Sequence, residues 1–144
     1  MCRAHGFSRL EAEILFGLGD LTRTASPSNA LDYYRESIEL ARTMGYLGLV
    51  GNCLLGVAVI ALNGGAATTA ATLLGFLAGF AERFGGLSPL EKEEFDAAIA
   101  QAREALGNEA FGAAWTEGGA LSVDQAIELS LAVTALPAVG PDMT

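Results

Sequence analysis

The sequence predicts an all-α protein of about seven helices, stacked as tetratricopeptide-like helix pairs in an α-α superhelix. Three observations support this prediction. Apolar residues recur at helical rather than strand spacing along nearly the whole chain. Only four of the 144 residues are proline, and glycine-containing turns separate the periodic segments. An apolar fraction of 51% excludes a disordered chain, and the length suits one domain with its own core.

The charge balance narrows the classes of function. Eight basic residues face 17 acidic ones, which gives a net charge of −9. Nucleic-acid surfaces need clustered Lys and Arg, so we expect no direct nucleic-acid binding by this chain. No charged residue occurs between Arg42 and Glu82, which indicates that this stretch lies in the centre of the fold.

Residues 1–86 are predicted to form two degenerate helix pairs. The first helix runs from Ser8 to about Thr22, and the second from about Asn29 to Met44, where Gly45 suits a helix end. We expect the first helix to point its large apolar residues inward: Leu10, Ile14, Leu15, Leu18 and Leu21. The second helix has a clear inward face of Ala30, Tyr34, Ser37, Ile38, Ala41 and Met44.

The next two predicted helices, Tyr46–Leu62 and Ala66–Phe84, contain the two most apolar segments of the chain, Tyr46–Leu62 and Ala66–Ala81. Each falls just short of the ~20 residues that span a bilayer, although Gly75 and Gly79 form the G-x-x-x-G pattern of membrane helices. We favour a buried helical hairpin, with Tyr46–Leu62 central and Cys53 as a small core residue, over a membrane-associated hairpin.

Residues 87–136 are predicted to form a three-helix capping region, followed by a tail over 137–144. Ser88 and Glu91 are spaced as a capping box for a helix that ends before Gly107. A short helix follows from Asn108 to the Gly118-Gly119 break. Ser122 and Gln125 form a second capping box, for a last helix that ends near Ala135.

An internal repeat links the first four helices. Residues 13–45 and 53–85 each read as a helix, a small-residue turn and a second helix. The unit resembles the tetratricopeptide repeat, with Leu18-Gly19 as the small pair of its first helix. Ala30, Tyr34 and Ser37 match the small–aromatic–small pattern of its second helix.

The C-terminal part carries a more specific motif. Its recurring residues are Ala105, Leu106, Gly107, Ala110, Phe111, Ala114, Trp115, Gly118, Leu121 and Ser122. This run resembles the tail of large ATP-dependent LuxR-type and AfsR-like bacterial transcription regulators, and of related adenylate cyclase or kinase proteins. The resemblance implies a helical module that receives an inducer or a protein partner while another domain acts.

The sequence offers little material for catalysis, so we expect no enzyme activity and no cofactor. His5 is the only histidine, and the two cysteines, Cys2 and Cys53, lie far apart, which leaves no plausible triad or zinc site. Gly51 and Gly56 copy the glycine spacing of a phosphate loop, but Val57 stands where that motif requires lysine.

Two further clusters have simpler interpretations than a site. Four acidic residues, Glu91, Glu93, Glu94 and Asp96, are better explained by the positive end of a helix dipole than by a cation site. Phe111 and Trp115 lie one helical turn apart, and we expect them to pack on Phe95 in the core rather than to stack on a ligand.

The candidate binding residues are Glu13, Phe16, Asp20 and Asn52. In a stack of helix pairs the first helix of each pair lines the concave surface, and these four residues lie on such helices. Asn52, alone in an apolar segment, is predicted either to bind a peptide or ligand carbonyl or to form an interhelical hydrogen bond. The leading hypothesis is a cytoplasmic, non-catalytic sensor or interaction module for a protein, peptide or small inducer. A structural spacer or homodimerisation piece is the alternative.

Overall fold

The computed structural model describes residues 5–84 and 88–134, and within them every regular element is an α-helix, as predicted. The helices are α1 His5–Thr22, α2 Pro27–Met44, α3 Leu47–Asn63, α4 Ala67–Phe84, α5 Pro89–Leu106, α6 Asn108–Gly119 and α7 Val123–Leu131. Side chains from all seven helices join one buried apolar cluster. The predicted tail over 137–144 and Cys2 lie outside the described residues.

Helix α3 occupies the centre of the molecule, as its uniform apolarity predicts. Residues on all its sides are buried, including the thiol of Cys53, and α2 and α4 pack against it. The turn that precedes α3 is closed at Gly45, whose positive φ of 76° places it in the left-handed region. The N–H of Tyr46 donates to the carbonyl of Ala41, which completes a Schellman-type helix end.

Both predicted capping boxes are present. The Ser88 hydroxyl accepts from the N–H of Glu91, while the Glu91 carboxylate accepts from the N–H of Ser88. Ser122 and Gln125 exchange the same pair of hydrogen bonds at the start of α7. These local signals therefore place α5 and α7 correctly.

The predicted inward face of α1 is wrong for three of its five residues, while Leu15 and Leu18 are partly buried. Leu10, Ile14 and Leu21 are 51%, 52% and 81% exposed, whereas the small residues Ala12 and Gly19 are buried. The reason is steric, because the side of α1 with small residues lets α2 approach closely, and the Ser37 hydroxyl then donates to the Ala12 carbonyl at 2.7 Å.

The predicted end of the last helix near Ala135 is also wrong, since α7 ends at Leu131. The N–H groups of Ala132 and Val133 turn back to carbonyls three residues earlier. The Arg35 guanidinium of α2 donates to the carbonyls of Leu131 and Val133, which holds this segment in a non-helical path.

The sixth helix packs mainly against α4, because α6 lies against α4 more extensively than against its neighbour in sequence, α5. Gly75 and Gly118 make this possible. A Cβ at Gly75 would lie 2.3 Å from the Trp115 carbonyl oxygen, and one at Gly118 would lie 1.9 Å from that of Thr72. By contrast, a Cβ at Gly79 would meet nothing within 4 Å. Gly75 thus serves a helix contact inside this fold.

The aromatic residues of the C-terminal part pack as predicted. The rings of Phe111 and Trp115 lie 5.5 Å apart, and the Trp115 ring lies 6.4 Å from that of Phe95. Phe95 and Phe111 are buried. As to membranes, no helix among residues 5–84 and 88–134 combines the length and apolarity that a bilayer crossing requires.

Candidate functional site

Three of the four candidate residues share one side of α1. Glu13, Phe16 and Asp20 are spaced by three and four residues, which places them one above the other along the helix. Glu13 and Asp20 are exposed, and Phe16 is partly buried. They lie on a helix that packs against α2 and also touches α3.

The ring of Tyr34 fixes the geometry of this region. Tyr34 is fully buried, and its ring lies between α1 and α3, each of which contacts it through a glycine. A Cβ at Gly19 of α1 would lie 2.6 Å from the ring, and a Cβ at Gly56 of α3 would lie 2.4 Å from it. Glycine at both positions therefore lets α1, α2 and α3 close on one aromatic ring. The ring of Phe16 lies 6.2 Å from that of Tyr34 and, unlike it, is partly exposed.

A polar network begins at the Tyr34 hydroxyl. It donates to the Asp20 carboxylate at 2.5 Å and accepts from Arg23 at 3.4 Å. Arg23, in the turn after α1, also pairs with Glu94 of α5. Burial raises the pKa of Tyr34 far above its ordinary value, and the hydrogen bond to Asp20 adds to the rise. The network thus ties α1, α2 and α5 together at one edge of the molecule.

Glu13 belongs to a second, smaller cluster. Its carboxylate accepts from the Tyr46 hydroxyl at 3.0 Å, and Arg9 lies 4.0 Å from the same carboxylate. The Arg9 guanidinium stacks over the Tyr46 ring at 4.3 Å from its centroid. Glu13 and Asp20 are therefore each positioned by a tyrosine hydroxyl, and each keeps further lone pairs for a ligand.

Asn52 differs from the other candidates, because its side chain makes no hydrogen bond within the described part of the chain. It is partly exposed and lies one helical turn from Gly56, on the side of α3 that faces Tyr34. Its amide offers two donors and an acceptor. The interhelical hydrogen bond predicted as the alternative for Asn52 is not formed with any residue that the structure describes.

We group these residues along the contact of α1 with α3, and call the group the α1–α3–α5 face: Glu13, Phe16, Asp20, Arg23, Asn52 and Glu94. It combines an aromatic ring, an unpaired amide and carboxylates of fixed orientation. Such a surface can hydrogen-bond the backbone of an extended peptide or the polar groups of a small ligand.

Sequence reasoning missed Arg23 and Glu94. Glu94 was expected to face the dipole of α5, but its carboxylate is directed to Arg23, 71 residues earlier in the chain. Nothing in the spacing of either residue signals this pair. The prediction that Tyr34 is a core residue is correct for its ring. It did not include the hydrogen bonds of the Tyr34 hydroxyl to Asp20 and Arg23.

Two other acidic residues of α5 have local partners. Glu91 caps its helix, and Asp96 lies 3.5 Å from Lys92. Across the described ranges, no three histidine, cysteine or acidic side chains converge as metal ligands would. The Cys53 thiol is buried, and burial raises its pKa to about 12, so it is not a reactive thiolate at neutral pH.

The two glycines that copy a phosphate loop have packing roles instead. Both lie inside α3, where no turn exists to surround a phosphate. Gly56 contacts the Tyr34 ring, and a Cβ at Gly51 would lie 2.7 Å from the ring of Phe80 in α4. Their spacing reflects aromatic contacts on two sides of a central helix.

A cleft lies between α4, α6 and α7 and was not predicted. It is an open cleft of about 460 Å³, lined by Thr68, Thr69, Thr72, Glu117, Leu121, Gln125, Glu128 and Leu129. The signal for it in the sequence was the group of threonines in an otherwise apolar helix. The Thr72 hydroxyl, however, donates to the Thr68 carbonyl of its own helix.

Comparison with models of known protein families, with curated proteins and with solved structures gives no significant match.

Proposed function

We propose that the chain is a non-catalytic helical module that binds a protein, a peptide or a small inducer on its α1–α3–α5 face. The observation that supports this most directly is the unpaired amide of Asn52, on the side of α3 that faces Tyr34, whose ring lies 6.2 Å from that of Phe16. A partly buried amide without a protein partner makes fewer hydrogen bonds to water than an exposed amide does. A ligand that supplies the missing hydrogen bonds therefore binds more tightly.

The network around Tyr34 supports the same proposal. A binding surface benefits from side chains that are held in place before the ligand arrives, since less conformational entropy is then lost on binding. Asp20 and Glu13 are each held by a tyrosine, and Arg23 is held by Asp20 and Glu94.

The resemblance to LuxR-type and AfsR-like regulators gives this module its proposed context. In that context it would act within a bacterial signalling or transcription regulator and would receive the signal while another domain responds. A cytoplasmic location is part of the proposal, because the chain is poor in cysteine and its structural cysteine is a buried thiol.

Selection from a displayed random-peptide library tests the proposal. Selected peptides are synthesised, and their affinity is measured by fluorescence anisotropy for the wild type, Asn52→Ala and Phe16→Ala. We expect Asn52→Ala to weaken the affinity about fivefold, which corresponds to the loss of one net hydrogen bond. Phe16→Ala should weaken the affinity more. Asn108→Ala, an exposed asparagine of α6, is the matched control and should bind like the wild type.

Two results would reject the site. One is that no selected peptide depends on Asn52 or Phe16. The other is that a small-molecule thermal-shift screen finds only ligands whose effect survives both substitutions. Circular dichroism of each variant separates lost binding from lost folding.

The alternative function is a spacer or homodimerisation module, which the exposed apolar residues Leu10, Ile14 and Leu21 of α1 favour. Sedimentation over a range of concentrations distinguishes the two functions. A chain that remains monomeric through the micromolar range cannot act through self-association.

A further inference from the structure

The solvent side of α1 carries an apolar stripe that nothing in the described chain covers. Leu10, Ile14 and Leu21 are spaced by four and seven residues, which aligns them on one side of the helix. They are 51%, 52% and 81% exposed. An aligned stripe of this kind on a helix marks an interaction surface more often than isolated exposed leucines do.

The stripe borders a groove between α1 and α2. Ile14 and Leu15 of α1 and Leu40 of α2 form its apolar floor, and its volume is about 380 Å³. Gly17 lies between Ile14 and Leu21, and the space where its side chain would be is open. A second backbone can therefore come close to α1 at this point.

The rim of the groove is acidic. Glu11 of α1 and Glu36 and Glu39 of α2 border the apolar floor. The two arginines of α2 are directed towards the C-terminal part of the chain. Arg35 donates to backbone carbonyls there, and Arg42 lies 3.5 Å from Asp124, although Arg42 also approaches Glu39 at 3.7 Å. The groove thus combines an apolar floor with a negative edge.

The geometry points to a partner of one kind, an amphipathic helix whose apolar ridge is flanked by Lys or Arg. The distance from Leu10 to Leu21 along α1 corresponds to about three helical turns, which suits anchors at positions i, i+4, i+7 and i+11 of the partner. A basic flank would meet Glu36 and Glu39. A second copy of this chain fits less well, because it would bring the same carboxylates and a net charge of −9.

This surface is separate from the α1–α3–α5 face, so its test does not depend on that of the proposed function. The probe is a designed, fluorescein-labelled helical peptide of about five turns, with Leu anchors at that spacing and Lys on both flanks. A peptide with Glu in place of every Lys is its counterpart. Fluorescence anisotropy is recorded with the full chain at low and high ionic strength.

We expect saturable binding of the Lys peptide, weakened by salt, and much weaker binding of the Glu peptide. Ile14→Ser should reduce the affinity about tenfold through the loss of a buried anchor, and Glu36→Lys should reduce it most at low salt. The matched controls are Leu90→Ser and Glu93→Lys, which change exposed residues of α5 and should bind like the wild type.

Three outcomes would overturn the inference. The first is equal affinity for the Lys and Glu peptides. The second is binding that Ile14→Ser leaves unchanged. The third is occupation of the stripe by something else, seen either as self-association that Ile14→Ser abolishes or as Ile14-dependent flotation with phospholipid vesicles.

Discussion

Two glycines of α4, one helical turn apart, should respond in opposite ways to the same substitution. In the interior of a helix, Gly→Ala normally stabilises by about 0.5–1 kcal/mol, because alanine loses less backbone entropy on folding. At Gly79 the added Cβ meets nothing within 4 Å, so Gly79→Ala should show this gain in full.

At Gly75 the same methyl group would lie 2.3 Å from the carbonyl oxygen of Trp115 and 2.9 Å from its carbonyl carbon. A carbon atom normally approaches a carbonyl oxygen no closer than about 3.3 Å, so α6 would have to move by about 1 Å. Its backbone cannot yield as a flexible side chain would. Overpacking of this kind costs about 1–3 kcal/mol, which offsets or exceeds the gain in helix propensity.

The assay is urea unfolding followed by circular dichroism, with Gly79→Ala as the matched control for Gly75→Ala. We expect Gly79→Ala to be more stable than the wild type, and Gly75→Ala to be less stable than Gly79→Ala by about 1–3 kcal/mol. Equal stability of the two variants would refute the close contact of α4 with α6.

Three further outcomes are expected. The free energy of unfolding should fall as the pH rises above about 9, because burial raises the pKa of both Cys53 and Tyr34, so that only the unfolded chain ionises there. The thiol alone should account for roughly 1 kcal/mol at pH 10, which urea titrations of the wild type and Cys53→Ala measure. Glu94→Gln should cost about 0.5–1 kcal/mol in the same assay, since its pair with Arg23 is partly exposed. Arg35→Met should increase amide hydrogen exchange over residues 129–134 by mass spectrometry, and unchanged exchange there would show that the guanidinium does not hold this segment.

Local rules explain which parts of the fold were predictable. The capping boxes at Ser88 and Ser122 depend on contacts within three residues, and both are formed. The inward face of α2 was recognisable because Tyr34 and Ser37 lie among small residues on one side of an otherwise charged helix. The central place of α3 followed from its lack of any polar side.

The orientation of α1 was not predictable from apolarity alone, because this helix has apolar residues on two sides. The side that carries the small residues faces inward, where Gly19 accommodates the Tyr34 ring. The side that carries Leu10 and Leu21 faces outward. The pairing of α6 with α4 likewise depends on Gly75, whose role becomes visible only when the second helix is placed. In both cases the decisive property is how closely two backbones can approach.

The candidate site was predictable in part for the same reason. Glu13, Phe16 and Asp20 fall on one side of α1 by helical spacing, and the sequence suffices to group them. The contribution of Arg23 and Glu94 is a long-range ion pair, for which no local pattern exists.

Chemical-shift mapping tests the central claim, that the α1–α3–α5 face binds a partner, most directly. The ¹⁵N-labelled chain is titrated with a library-selected peptide, and the two-dimensional amide spectrum is recorded at each step. We expect the largest shifts in the side-chain amide of Asn52 and in the backbone amides of residues 13–23. Shifts confined to the cleft of α4, α6 and α7, over residues 68–72 and 117–129, would contradict the claim.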